Sequence, residues 1–160
     1  MPAPTLRFML SHPAHILSLG LGSGLAPKAP GTFGSFAAWA SFLLLKPQLS
    51  DLSFGIFLLV CLLAGSVMVA HTCRALGTMD HGAVVWDEFV AVWLVLWLLP
   101  ATWAWQLAGV LVFRFFDIVK PWPIRVLDAR FKSGFGVMLD DLVAALFTLM
   151  VMACAWRVLA

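Results

Sequence analysis

The chain has 160 residues, of which 62% are hydrophobic and 11% are charged. An ordinary soluble domain carries about 25% charged residues, so this composition indicates a protein whose solvent is lipid. The formal net charge of +2 is too small to indicate nucleic acid as a partner. The length fits one domain. We therefore expect residues 1–160 to form a single membrane domain, with an N-terminal interfacial segment and Gly-rich loop at 1–32 and a helical bundle at 33–160.

Uncharged runs at residues 29–45, 52–70, 89–113 and 142–156 are separated by short segments that hold nearly all the charge. A membrane-spanning helix needs roughly 20 apolar residues, so these runs are the expected membrane elements. The run 89–113 is either one helix kinked at Pro100 or two short helices that turn at residues 99–102. The hairpin is favoured because Trp97, Trp103 and Trp105 cluster at the turn, as tryptophans do at a membrane interface.

The predicted fold is all-α: an integral membrane bundle of about five short transmembrane helices, with loops that carry the motifs on the cytoplasmic face. The helices are expected near residues 33–47, 52–72, 85–99, 102–118 and 140–158. The hairpin places the basic residues on one side, which the positive-inside rule makes cytoplasmic. These residues are Lys28, Arg74, Arg114, Lys120, Arg125, Arg130 and Lys132.

A glycine-rich segment, residues 20–24, precedes Gly31, Thr32 and Ser35 at the start of the first predicted span. Glycines allow backbone N–H groups to approach an anion, and a helix N-terminus capped by Thr32 or Ser35 favours negative charge. The segment is therefore a candidate phosphate-binding loop. A flexible loop with tight helix packing explains the same residues equally well.

Two pairs of adjacent acids open predicted helices: Asp87 with Glu88, and Asp140 with Asp141. Ionised carboxylates at membrane depth are functional by default, whereas a single acid in a first turn is explained by helix capping. Two adjacent acids favour the functional interpretation. Oxygen ligands without a Cys or His cluster favour Mg²⁺ over Zn²⁺. With Asp117, these four acids are the candidate metal ligands.

Arg114, Asp117 and Lys120 follow one another at intervals of three residues. On a helix this spacing places them roughly along one face. Arg114 and Lys120 are candidates for binding a phosphate, and a structural ladder of ion pairs explains the spacing equally well.

The order of these motifs resembles the bacterial phosphatidylglycerophosphatase A family of membrane lipid phosphatases. The resemblance covers residues 20–141 and rests on several ordered motifs. Ala91 and Ala145 stand where the family pattern is expected to have glycine. The motifs are the Gly-rich start with Ala29-Pro30-Gly31-Thr32 and Gly34-Ser35, then Trp86-Asp87-Glu88-Phe89, Phe113-Arg114 with Asp117, Lys120-Pro121-Trp122-Pro123-Ile124, and Gly136 with Asp140-Asp141.

The resemblance implies Mg²⁺-dependent hydrolysis of the terminal phosphate of phosphatidylglycerophosphate, giving phosphatidylglycerol. It also implies a multi-pass protein of the bacterial cytoplasmic membrane, with the active site on the cytoplasmic side and with phosphatidylglycerophosphate and membrane lipid as partners. The oligomeric state stays open. The expected catalytic residues are Asp87, Glu88, Asp117 and Asp141, and the expected phosphate-binding residues are Gly31, Thr32, Ser35, Arg114 and Lys120.

The expected mechanism is metal-assisted hydrolysis, in which carboxylates hold the ion and cations stabilise charge on the phosphoryl oxygens. An aspartyl-phosphate intermediate is the mechanistic alternative. A non-enzymatic membrane subunit, or a protein that binds anionic lipid, is the competing class of function.

Overall fold

A computed structural model describes residues 3–78, 80–130 and 133–159, apart from the side chains at 127 and 128. Lys132 of the basic set lies outside the described residues. Within these ranges the chain is helical and contains no strands, as expected. Short 3-10 segments occupy Gly20–Leu25 and Lys46–Gln48. The α-helices are α1 (Leu6–Leu10), α2 (Pro13–Ser18), α3 (Pro30–Leu45), α4 (Asp51–Ala75), α5 (Trp86–Leu98), α6 (Trp103–Val119), α7 (Ile124–Arg130) and α8 (Gly134–Leu159).

The helices expected from the sequence correspond to α3, α4, α5, α6 and α8 with boundaries shifted by up to three residues, apart from a larger shift at the start of α8. Helix α8 begins at Gly134 instead of near residue 140. Its first turn is held by Ser133, whose side-chain oxygen accepts the Gly136 N–H at 3.1 Å and whose carbonyl accepts the Val137 N–H at 3.0 Å. Asp140 and Asp141 therefore lie inside the helix and do not cap it.

The membrane-spanning capacity of the helices is uneven. In the described part of the chain, α4 with 25 residues and α8 with 26 residues are long and apolar enough to cross a bilayer. Helices α3, α5 and α6 have 16, 13 and 17 residues. Large apolar side chains on the outer face of α4, such as Leu52 and Val67, are exposed by 77% and 68%. Such an apolar exterior is compatible with a lipid surrounding.

The hairpin between α5 and α6 is confirmed, and a single kinked helix is wrong. Leu99 has an extended backbone with φ −95° and ψ 157°, as expected for the residue before a proline. The Thr102 N–H donates to the Pro100 carbonyl at 2.8 Å, which closes the turn. Gly109 of α6 packs against Val95 and Leu99, so the two helices return side by side.

Helix α5 is the centre of the bundle, since it packs against α3, α4, α6 and α8 and is buried on nearly all sides. Indole hydrogen bonds hold it in place: Trp93 Nε1 donates to the Ala38 carbonyl at 3.0 Å, and Trp86 Nε1 donates to the Cys61 carbonyl at 3.1 Å. Ala91 on α5 and Ala145 on α8 are fully buried, so both methyl groups fit the interior. This packing determines where the first turn of α5 lies.

Candidate active site

The site is built around three carboxylates from two helices. Asp87 and Glu88 lie in the first turn of α5, and Asp141 projects from the second turn of α8. One carboxylate oxygen from each residue lies within 4.8 Å of the other two. Glu88 and Asp141 are buried and Asp87 is half-buried. Oxygen atoms at this spacing match the ligand set that a hard divalent cation prefers.

The other two acids predicted as metal ligands, Asp117 and Asp140, are paired with cations. Asp117 forms a close ion pair with Arg114 one turn earlier on α6. Asp140 accepts a hydrogen bond from Lys120 Nζ at 2.6 Å. Both acids still interact electrostatically with Asp87. All five predicted acids therefore lie in one region, and Glu88 of the group of three shares Arg114 with Asp117.

Arg114 connects the acids of α5 and α6. Its Nη1 atom lies 3.4 Å from Glu88 Oε1 and also donates to Asp117 Oδ2. The expected row of three charges along α6 stops there, because the helix ends at Val119 and Lys120 has a left-handed backbone with φ 43°. Lys120 consequently reaches across to α8, where Asp140 lies.

Gly31 explains why the start of α3 reaches the carboxylates. A Cβ atom at this position would collide with Glu88 Oε1 and lie 3.0 Å from both terminal guanidinium nitrogens of Arg114. The absence of a side chain therefore allows the α3 backbone to contact the Glu88–Arg114 pair. The N-terminus of a helix carries partial positive charge, so this approach favours an anion at the same place.

The expected cap of α3 is wrong, because neither Thr32 nor Ser35 caps the helix. The N-cap residue is Ala29, with a left-handed backbone and no side-chain hydrogen bond, and Pro30 opens the helix. The Ser35 hydroxyl is buried and donates to the Gly31 carbonyl at 2.9 Å. The Thr32 side chain is half-buried at the helix start.

The upstream glycines have a packing role. A Cβ atom at Gly20, where φ is +55°, would lie 2.6 Å from Val85 Cγ2, and one at Gly24 would collide with the Ala83 carbonyl. Both glycines therefore let the segment Gly20–Leu25 lie against the residues that lead into α5. Close packing thus explains Gly20 and Gly24. That Gly31 binds a phosphate stays a prediction.

A buried polar chain that the sequence analysis missed supports the start of α5. His15 Nδ1 lies 2.9 Å from Thr72 Oγ1, and the Thr72 hydroxyl donates to Ser18 Oγ at 3.1 Å. The Ser18 carbonyl then accepts the Val85 N–H at 2.9 Å, directly before the acids of α5. Thr72 is separated from His15 by 57 residues, so no local pattern could have revealed the contact.

Comparisons with known proteins agree with the motif order. The model of the family "Phosphatidylglycerophosphatase A" matches residues 16–156. A phosphatidylglycerophosphatase A of Haemophilus influenzae is 44% identical over 149 residues, which cover 92% of this chain and 91% of that protein. The Escherichia coli protein of the same name is 42% identical over 146 residues, which cover 89% of this chain and 83% of that protein.

A third relative, from Bacteroides thetaiotaomicron, is provisionally named a phosphatidylinositol-3-phosphatase. It is 35% identical over 146 residues, which cover 88% of this chain and 91% of that protein. No solved structure matches the chain. The region matched to the family includes the five acids, Gly31, Arg114 and Lys120.

The polar chain at His15 predicts a pH dependence of stability. Burial lowers the pKa of His15 below its ordinary value of 6.5, and the adjacent His71 and His12 lower it further. As the pH falls below about 6.5, the unfolded chain therefore binds the proton before the folded protein does, and folding stability declines. We expect the melting-temperature advantage of the wild type over His15→Gln to shrink between about pH 7.5 and pH 5.5. An advantage that stays constant over this interval would contradict the prediction.

Proposed function

Because the chain belongs to the phosphatidylglycerophosphatase A family, and is therefore an enzyme that hydrolyses phosphoric monoesters, we propose that it converts phosphatidylglycerophosphate to phosphatidylglycerol with the help of Mg²⁺. The observation that carries this proposal is the group of Asp87, Glu88 and Asp141, whose oxygens lie within 4.8 Å of one another. Arg114 stands beside this group. A cluster of acids with an adjacent guanidinium is suited to a metal-dependent reaction at a phosphate.

The unsatisfied atoms of the site support a cation among the acids. Glu88 Oε2 and Asp141 Oδ2 are buried and have no hydrogen-bond partner among the described residues. Buried carboxylate oxygens are unfavourable unless they are paired or bind a metal, and Mg²⁺ prefers oxygen ligands. We propose that Asp87, Glu88 and Asp141 hold this ion. A bound Mg²⁺ supplies Lewis-acid chemistry at a phosphoryl oxygen and a more acidic water.

The protein groups around the acids have separate tasks in this proposal. The Arg114 guanidinium is held by Glu88 and Asp117, and its Nε atom is buried without a hydrogen-bond partner in the described part of the chain. It is therefore oriented and retains a donor for a phosphoryl oxygen. Gly31 and Thr32 contribute the start of α3, whose backbone amides favour an anion. Negative charge that develops during hydrolysis would be stabilised by donors already in position.

The remaining predicted residues support this arrangement from neighbouring positions. Asp117 orients Arg114, and Asp140 fixes Lys120 at the end of α6 beside α8. The Ser35 hydroxyl is used within its own helix, since it donates to the Gly31 carbonyl. Whether Asp117, Asp140 or Lys120 also contacts the ion or the phosphate stays a prediction.

We propose a multi-pass placement in the bacterial cytoplasmic membrane, with the site on the cytoplasmic side. Helices α4 and α8 are long enough to span, and α3, α5 and α6 pack along them or along each other. The site end of the bundle carries Lys28, Arg74, Arg114 and Lys120. An excess of basic residues on one side favours the cytoplasm for that side.

The substrate and metal are tested by phosphate release from purified protein in detergent. We expect fastest hydrolysis of phosphatidylglycerophosphate, slower hydrolysis of phosphatidylinositol 3-phosphate and phosphatidic acid, and loss of activity in excess chelator that Mg²⁺ restores. Full activity after dialysis into chelator would refute the requirement for Mg²⁺. A faster rate with another of the three lipids would refute phosphatidylglycerophosphate as the preferred substrate but would leave phosphomonoester hydrolysis as the reaction.

The roles of adjacent acids are tested by matched amide substitutions. We expect Asp87→Asn and Asp141→Asn to lower kcat at least about a hundredfold with little change in melting temperature, because the substitution removes a ligand charge but almost no volume. Asp140→Asn, next to Asp141 but paired with Lys120, should have the smaller effect.

Lys28→Gln is the control for these variants, since Lys28 is exposed and outside the site. Parallel losses of activity and melting temperature in the variants of Asp87 and Asp141 would instead identify these acids as structural partners.

The orientation is tested with single cysteines on a background from which Cys61, Cys73 and Cys154 have been removed. Gly82→Cys places a thiol in the exposed loop before α5, and Ala101→Cys places one in the exposed turn after it. In sealed vesicles, an impermeant thiol reagent should label position 82 only from the cytoplasmic side and position 101 only from the other side. Labelling of both positions from the same side would exclude a membrane-crossing α5.

A further inference from the structure

An apolar groove lies at the end of the bundle opposite the carboxylates. One part, of about 530 Å³, lies between the α5–α6 turn and the last turns of α8 and is lined by Leu99, Met152, Trp156 and Arg157 among others. A second part of about 530 Å³ lies between α6 and α8 and shares Met152 and Trp156 with the first. The two parts are therefore adjacent, and together they are called the groove below. Arg157 is about 24 Å from Asp141 along α8, at 1.5 Å per residue.

We infer that this groove binds a membrane phospholipid with an anionic head group, with an acyl chain along the groove and the lipid phosphate at Arg157. The inference rests on the membrane placement proposed above. It concerns a site that is separate from the carboxylates and that takes no part in hydrolysis.

The charges at this end of the bundle favour an anionic ligand. Arg157 is an exposed cation that lines the groove. Of the acids whose side chains the structure describes, Asp51 is the one at this end, and it is bound by Lys46 at 3.0 Å and by the Trp97 indole at 3.1 Å. The described side chains thus leave no carboxylate for Arg157, and a lipid phosphate supplies the missing anion.

The aromatic residues place the mouth of the groove at head-group depth. The Trp105 and Trp156 rings meet edge to face at 5.1 Å, and both residues line the groove. Trp103, two residues before Trp105 in the first turn of α6, is 66% exposed. Tryptophans collect at the interface between lipid tails and water, where head groups lie. A lipid phosphate at Arg157 would therefore lie at head-group depth, and an acyl chain beside Met152 would lie among the lipid tails.

A second copy of the chain is a weaker occupant of this groove. It would bring another Arg157 to the interface, and its described carboxylate at this end, Asp51, would already be paired with Lys46. The positive charge of the groove would then remain uncompensated. The two like charges would also oppose association. Charge complementarity thus favours the phospholipid.

Native mass spectrometry of the full-length protein tests the inference with an equimolar mixture of phosphatidylserine and phosphatidylcholine of identical acyl chains. Phosphatidylserine is used because it is neither the proposed substrate nor the proposed product. We expect about a fivefold preference for phosphatidylserine, the effect of one basic residue near an anionic lipid surface. Arg157→Gln should abolish the preference, and Arg157→Lys should retain it. Ala153→Phe should fill the groove and reduce retention of both lipids.

Matched controls separate the groove from general effects. Val151→Phe makes a similar enlargement at an exposed position of α8 that does not line the groove, and Arg74→Gln removes an exposed cation at the other end of the bundle. Both should bind lipid as the wild type does.

Equal retention of the two lipids by the wild type, or unchanged retention by Ala153→Phe, would overturn the inference. A lipid-free dimer that Ala153→Phe dissociates would also overturn it. Because the readout is bound lipid mass, failure of the proposed hydrolysis would not alter these outcomes.

Discussion

The concentration of acids at one end of an apolar bundle is the constraint on which the rest of the structure depends, and the Arg114 ion pairs offset part of this negative charge. Glu88 and Asp141 are buried and Asp87 is half-buried, so uncompensated charge there would oppose folding. Arg114 joins Glu88 of α5 to Asp117 of α6, and its guanidinium contacts the start of α3 through Gly31. One cation thus joins α5 to α6 at the site and lies against the start of α3. Lys120 does the same between the end of α6 and α8 by binding Asp140.

These ion pairs require the start of α5 and the last turns of α6 to lie at the same end of the bundle. The turn after α5 and the packing of α5 bring them there. Pro100 ends α5 and allows α6 to run back beside it, so that Asp87 and Arg114 lie at the same end of the bundle. The interior is held by directional contacts as well as by apolar area, since Trp93 and Trp86 donate to carbonyls of α3 and α4. Such bonds fix the rotation of α5 about its own axis. The carboxylates of its first turn consequently lie beside α8 and not on the apolar exterior of the bundle.

The sequence predicted those features that local chemistry determines. Pro100 with its flanking tryptophans indicated the hairpin, and the two pairs of adjacent acids indicated that carboxylates lie together at one end of the bundle. It did not predict that α8 begins at Gly134, because two acids resembled a helix start more strongly than the Ser133 turn that precedes them. It also did not predict that Asp140 pairs with Lys120, because that contact depends on where Lys120 lies after its left-handed backbone. The His15–Thr72 contact was out of reach for the same reason: it exists only once α2 lies against α4.

The depth of the site connects the fold to a lipid substrate. Asp141 lies seven residues after Gly134, the first residue of α8, which is about 10 Å along the helix axis. Asp87, by contrast, lies in the first turn of α5. The start of α8 therefore extends beyond the carboxylates at this end of the bundle, whereas α5 begins beside them. In the proposed membrane placement, the acids would therefore lie below the end of α8, near the level of the head groups. A phosphomonoester on a lipid head group could reach them while its acyl chains stay in the bilayer. A soluble phosphate ester would lack this anchorage, so the short α5 that brings Asp87 and Glu88 to this depth itself favours lipid phosphates as substrates.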